Sequence, residues 1–317
     1  MKNHGFINTF LSVCSGTTDF PEIAKYPFYR MLLHLVILSV LCGAVNVAFR
    51  YHPFNLTYEE TCAKLAAKFG EIQTSAYGMR PARNPDKHGT AYFEGFRVDY
   101  FPAENELKTF KPGEDYLFGV AWTPVSMIAW VNLDNKPAPF LPLLIPTAPD
   151  SEKINEGMSF MLNKMKGDSG KTLTLYDVSK IYSINPELLK KTSIPFREFR
   201  TNILGVPLRI PTIYIIFLMV EILVNCLLIS PVYILIFTLF SFFLGKSNML
   251  PLKFSKIFIV GIYTGFPGIV IATLYTALAL PYMDFQSIFL MSYLVYSFPV
   301  FARLRMSGGG PDTNAAI

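Results

Sequence analysis

"IPTIYIIFLMVEILVNCLLISP", residues Ile210 to Pro231, is long and apolar enough to cross a bilayer, yet it carries an acid near its middle. Counted from Pro211 at about 1.5 Å of helical rise per residue, Glu221 lies roughly 15 Å in, close to the bilayer midplane. A charged carboxylate at that depth costs about 3 kcal/mol or more, so an acid here asks for a partner.

Working outward, three more tracts share this character. Met31 to Phe49 holds no full charge, only His34, while Ile257 to Leu280 and Phe285 to Ala302 are free of Asp, Glu, Lys and Arg. From Pro211 to Gly245 the one charged residue is Glu221. Only 16% of the 317 residues are charged, 51% are hydrophobic, and mean hydropathy is +0.35. A soluble chain carries more charge than this. The composition therefore predicts an α-helical membrane bundle of four to five spans, with the lipid bilayer as its first partner.

The net charge of +5 does not indicate nucleic acid. Residues 51 to 208 carry 18 basic and 18 acidic side chains and balance, so the excess sits in short loops beside the spans, where it reports topology. The cysteines (Cys14, Cys42, Cys62, Cys226) are scattered, no C-x-x-C occurs, and His4, His34, His52 and His88 do not cluster. No metal, cofactor or catalytic set is expected from these spacings. His52, Asp86, His88 and Asp99 are the one group worth naming for catalysis, and their spacing fits no hydrolase pattern.

Five segments follow. Residues 1–30 read as a cytoplasmic amphipathic lead, with Phe6, Ile7, Phe10, Leu11 and Val13 near helical spacing and a break at Gly16. Residues 31–49 are the first transmembrane span. Residues 50–208 form a mixed α/β domain inserted between the first and second spans, large enough for its own core. Residues 209–303 hold the C-terminal transmembrane bundle, and 304–317 a disordered tail. Inside the insert, Thr57 and Glu60 make a capping box for a helix to about Phe69. "AYFEGFRVDYF" (91–101) reads as a strand, and residues 116–132 as two strands around Thr123-Pro124. A Pro-rich stretch from Lys136 leads to a helix over about 151–166, and Asn185 caps a short helix opened by Pro186. "GDSGKTLTL" ends like a phosphate-binding loop, but Met165 stands where its first glycine belongs and "LTLYDV" reads as a strand. It is taken as a turn.

The tract from 211 to 245 leaves two topologies open. As one helix it is roughly 52 Å long, too long for a ~30 Å core unless bent or protruding. As a hairpin at Ser230-Pro231 it has a short second arm. One crossing gives four spans; two give five and reverse the side of the insert, since Lys246, Lys253, Lys256, Arg303 and Arg305 mark cytoplasmic loops.

In the third tract, Gly261, Gly265, Gly268 and Ala272 recur at helical spacing and give one small-residue face for close packing against another helix or a second copy of the chain. Pro267 lies inside it and removes the partner of the Tyr263 carbonyl. "FPEIAKYPFYRMLLHLVILSV", the long insert and "LPLKFSKIFIVGIYTGFPGIVIA" together resemble the bacterial membrane proteins of domain-of-unknown-function family 1189, some described as maltodextrin-utilization proteins. The Gly261, Tyr263, Pro267 pattern is also similar to the wider Yip-type membrane family. The resemblance covers about half the chain, its membrane parts. It implies a bacterial inner-membrane protein with an extracytoplasmic insert, and no known reaction.

Glu221 and Asn225 are one turn apart on a helix face. The expectation is a protonated Glu221 that donates to the Tyr263 carbonyl freed by Pro267, clipping two spans together. The functional expectation is a non-enzymatic binding, sensing or scaffold component, with other membrane proteins or a second copy of the chain as candidate partners. The alternatives are a small transporter or channel component using Glu221 and the Pro267 break, and a membrane-embedded enzyme.

Overall fold

A proline inside a helix removes one backbone N–H and crowds the preceding turn, so how the chain absorbs its prolines decides where helices end. The computed structural model describes residues 5–133, 136–142, 174–203, 206–244 and 253–308. Its helices in chain order are α1 (Phe6–Ser15), α2 (Phe20–Ile23), α3 (Phe28–Phe69), α4 (Leu175–Ile181), α5 (Ile210–Val224), α6 (Ser230–Leu244), α7 (Phe254–Ala277) and α8 (Phe285–Gly308). Pro53, Pro267 and Pro299 lie inside α3, α7 and α8 without ending them. The chain divides into two units, one made of residues 1–53 and 214–317, the other of residues 54–213.

In the first unit a π-helical turn, Asn225–Ile229, joins α5 to α6, so residues 210 to 244 form one unbroken helical run. This corrects the hairpin alternative. Pro231 cannot donate to the carbonyl four residues back, and a widened turn just before it absorbs the mismatch where a reversal was considered. Among the described residues, four helices are long and apolar enough to cross a membrane: Phe28–Phe69, Ile210–Phe240, Phe254–Ala277 and Phe285–Leu304.

These helices alternate in direction. Lys256 Nζ donates to the Tyr26 carbonyl, Tyr263 meets His34 and Cys42 lies against Thr273, so α7 runs parallel to α3. Gly261 faces Thr238 and Gly265 faces Ile234, which sets α6 antiparallel to α7. Phe289 packs beside Gly265 and Gly268 while Tyr293 packs beside Gly261, which sets α8 antiparallel too. One end of the bundle therefore carries Arg30, Lys253, Lys256 and Arg303, and the other carries Arg50, Glu221 and Asp284. The lead belongs to this core. Val13, Phe20 and Ile23 are buried in it, and the Tyr296 hydroxyl donates to the carbonyls of Val13 and Gly16.

The second unit contains a five-stranded sheet in the order β3–β4–β5–β6–β7: Gly89–Phe93, Phe96–Tyr100, Phe118–Trp122, Met127–Leu133 and Lys136–Pro142. β4 and β5 are parallel, joined across a 3-10 turn at Glu104–Lys108, and the other pairs are antiparallel. Smaller sheets pair β1 (Ile72–Ser75) with β2 (Gly78–Pro81) and β8 (Thr192–Ile194), and β9 (Arg200–Ile203) with β10 (Val206–Arg209). A mixed α/β domain is thus present, with four differences of detail. The expected helix from Thr57 has no separate start, because α3 runs through Pro53 to Phe69. The single strand expected over 91–101 is the hairpin β3–β4, turning at Gly95 with φ +68, which glycine adopts freely. The Pro-rich stretch supplies β7, an edge position where missing N–H groups do least harm. "LTLYDV" is not a strand: Thr174 and Asp177 form a reciprocal capping box that opens α4. The expected Asn185 cap is there, its side chain accepting from the Glu187 N–H. The helix expected over 151–166, the turn at 170–172, Lys246 and the tail beyond 308 lie outside the described residues, while residues 304–308, expected to begin that tail, continue α8.

Candidate functional site

Successive side chains of a strand point to opposite faces, so β4 sends Phe96, Val98 and Tyr100 to one side, and β5 sends Phe118, Val120 and Trp122 to that same side. The parallel register places them in matched rows: Phe96 beside Phe118, Val98 beside Val120, Tyr100 beside Trp122. Across from this face lies the C-terminal part of α3. Between them is a half-open, mostly apolar groove of about 710 Å³, lined on the helix side by Phe54, Tyr58, Cys62 and Leu65 and completed by Phe196 and Phe199.

The groove deepens along the rows. Phe118 is 49% exposed and Trp122 fully buried. Phe93, Phe96 and Phe118 form an aromatic mouth, with ring centroids 5.5 and 5.1 Å apart. At the closed end Trp122 packs edge-on to Tyr100, Phe69 and Phe196 and donates its indole N–H to the Met79 carbonyl at 3.1 Å. Burial pushes the Tyr100 phenol up to about 12, and its hydroxyl donates to the Pro85 carbonyl at 2.8 Å. Charge is confined to Glu94 and the Glu60–Lys64 ion pair, 2.7 Å apart. A cavity of this size with apolar walls and few polar groups suits a small or chain-like apolar ligand.

The intramembrane residues singled out in the sequence fall into three places. Glu221 meets Arg50, with Arg50 Nη1 3.4 Å from Glu221 Oε2. This corrects the expected clip to the Tyr263 carbonyl. Arg50 closes the charge-free stretch of α3, and Asn46 nearby donates to the Leu218 carbonyl, so Glu221 stands level with the end of that charge-free stretch and not with its middle. Asn225, one turn on, accepts from Gln286 of α8 at 2.8 Å, a partner that sequence spacing did not single out. Tyr263 contributes its hydroxyl, 2.9 Å from His34 Nδ1, with Phe6 edge-on to the His34 ring. Pro267 lies within α7 among the glycines. Gly261 faces Ile234, Thr238 and Tyr293, while Gly265 and Gly268 face Phe289, so helices of this same chain fill the small-residue face; Ala272 is fully buried.

Of the residues named for catalysis, the structure brings His88 and Asp99 together but not Asp86 or His52 into one set. Asp86 pairs with Arg80. His88 Nε2 stands 3.8 Å from Asp99 Oδ1, but fully buried Asp99 is taken by Arg97 and by the Thr90 hydroxyl, and the His88 ring stacks on Phe101. His52 is exposed on α3. No protein-family model, curated protein or solved structure matches this chain.

Proposed function

We propose that this chain is a multi-pass protein of a bacterial cytoplasmic membrane whose inserted domain binds an apolar ligand on the outer side, without transforming it. The observation that carries the reading is the helix–sheet groove, an aromatic-mouthed cavity with matched apolar rows leading inward. Charge supports the side. The bundle end bearing Arg30, Lys253, Lys256 and Arg303 is the one that the positive-inside rule retains in the cytoplasm, and the chain leaves for the insert at the other end. A binding role in place of an enzymatic one is supported by Asp99, the carboxylate beside His88, being fully buried and already bonded to Arg97 and Thr90.

The test is fluorescence of an apolar, environment-sensitive naphthylamine dye on the full-length protein in bilayer nanodiscs. Wild type should raise emission, and Val120→Glu, which sets a charge on the groove wall, should remove the gain while circular dichroism stays unchanged. Equal emission from the two proteins would reject the reading.

A second reading, a solute or proton path through the bundle, is favoured by one observation. Asn46 Oδ1, Ser230 Oγ, Thr238 Oγ1 and the Tyr293 hydroxyl are buried without a hydrogen-bond partner among the described residues. Flux in proteoliposomes that Thr238→Val and Tyr293→Phe both diminish would support it; absence of flux would remove it.

A further inference from the structure

Two lining residues of the groove are tied to the spans by very short stretches of chain. Phe54 follows Arg50 by four residues, and Ile210 directly precedes the apolar tract beginning at Pro211. A fully extended chain gains at most about 3.6 Å per residue, so Phe54 lies within ~14 Å of Arg50 however the two units are disposed. A hydrophobic site tethered this closely to a bilayer draws its ligand most readily from that bilayer.

The floor also selects the kind of molecule. β4 is hydrogen-bonded to β3 and β5, and β5 to β4 and β6, so their backbone groups are already spent in ladders. An occupant lying across this face meets side chains and no open strand edge. A peptide placed there would leave its own N–H and C=O groups unpaired. An acyl chain has none to satisfy. The taper sets its direction: Glu94, the half-buried Phe93 and the exposed ring of Phe118 stand at the mouth, and Trp122 closes the far end.

Resting on the reading above, we propose that the occupant is an acyl chain of a membrane lipid, which enters methyl end first toward Trp122 and leaves its headgroup at the mouth.

The protein's two tryptophans make this measurable. Trp122 lines the groove, and Trp130 belongs to a separate core with Phe101, Ile128 and Leu175. Full-length protein is reconstituted in phosphatidylcholine vesicles whose acyl chains carry a nitroxide near the terminal methyl or near the carboxyl end. Nitroxides quench indole only at short range. The difference between wild type and Trp122→Phe gives the Trp122 signal, and Trp130→Phe isolates it independently should the first variant misfold. In a plain bilayer the methyl-end label lies deepest and farthest from a water-exposed domain. The proposal expects the methyl-end label to quench Trp122 more strongly than the carboxyl-end label. Equal or reversed quenching overturns it, as does quenching by free nitroxide-labelled fatty acid without any by the phospholipid. Retained dye binding with no quenching by either lipid rejects the acyl chain alone, whereas loss of dye binding as well rejects the groove reading beneath it.

Discussion

Arg50 and Glu221 face each other across two helices at the same bundle end, guanidinium nitrogen to carboxylate oxygen at 3.4 Å, each side chain about a third exposed. An acid that sequence counting places deep in the bilayer is thereby matched to the cation that ends the first span. Partial exposure means that the attraction is screened and the pair is worth far less than a fully desolvated one.

In a double-mutant cycle, Arg50→Gln and Glu221→Gln should couple by about 1 kcal/mol in thermal or denaturant unfolding of the detergent-solubilised protein. Additive effects within error would mean that the two side chains do not act as a pair.

Gly261 and Gly265 should respond differently to alanine. At either position a methyl gains helix propensity of about 1 kcal/mol. At Gly265 the added Cβ meets Ile234 Cδ1 at 2.9 Å, the movable tip of a side chain. At Gly261 it meets Ile234 Cγ2 at 2.9 Å and Thr238 Oγ1 at 3.2 Å, atoms on β-branched centres that a helix holds nearly fixed. Gly265→Ala should melt close to wild type, and Gly261→Ala should lose about 1–2 kcal/mol from overpacking. Equal melting temperatures would contradict this ranking.

Alkaline pH should weaken the inserted domain through Tyr100. Its folded phenol ionises near 12 against an ordinary value of 10.0, so the folded state favours the protonated form. The associated stability is fully present below pH 10 and is lost as pH rises from there toward 12, on the order of 2 kcal/mol. Tyr100→Phe should be less stable than wild type at neutral pH by about 1 kcal/mol, having lost the bond to Pro85, and should show a flatter decline over that window. An identical decline in both proteins would assign the effect elsewhere.

The side of the insert can be read by a membrane-impermeant maleimide on intact cells. Cys62, the one cysteine of the inserted domain, is buried in its core and should stay unlabelled. Lys87→Cys, at an exposed position, should label from outside when Cys14, Cys42 and Cys226 are replaced by Ser. Labelling of Lys87→Cys only after lysis would place the domain in the cytoplasm.

Much of the architecture is legible in the sequence because bilayer thickness imposes length and apolarity on each tract, and the four candidate spanning helices coincide with the four charge-poor stretches. Hairpin and cap chemistry were readable where the signal was local, as at Thr123-Pro124 and Asn185. Contacts between distant segments were not. Glu221 finds Arg50 from 171 positions away, and Asn225 finds Gln286 from 61. The groove was half visible. Alternation in "FRVDY" and "FGVAW" marks one apolar face on each strand, but only the parallel register of β4 and β5 brings Phe96 to Phe118 and Val98 to Val120.

The π turn at Asn225–Ile229 has one more effect. Asn225 apart, the buried residues described in this long helical run, Leu218, Ile222, Cys226, Ser230, Ile234 and Thr238, recur every fourth position. On a regular helix of 3.6 residues per turn such a stripe would wind about 200° around the axis over that distance. One residue taken up in a wider turn gives back about 100° of it. The upstream half can then keep Leu218 toward Asn46 of α3 while the downstream half offers Ile234 and Thr238 to the glycines of α7. A single helix thus changes neighbours midway, and the irregular turn is the swivel that lets it do so.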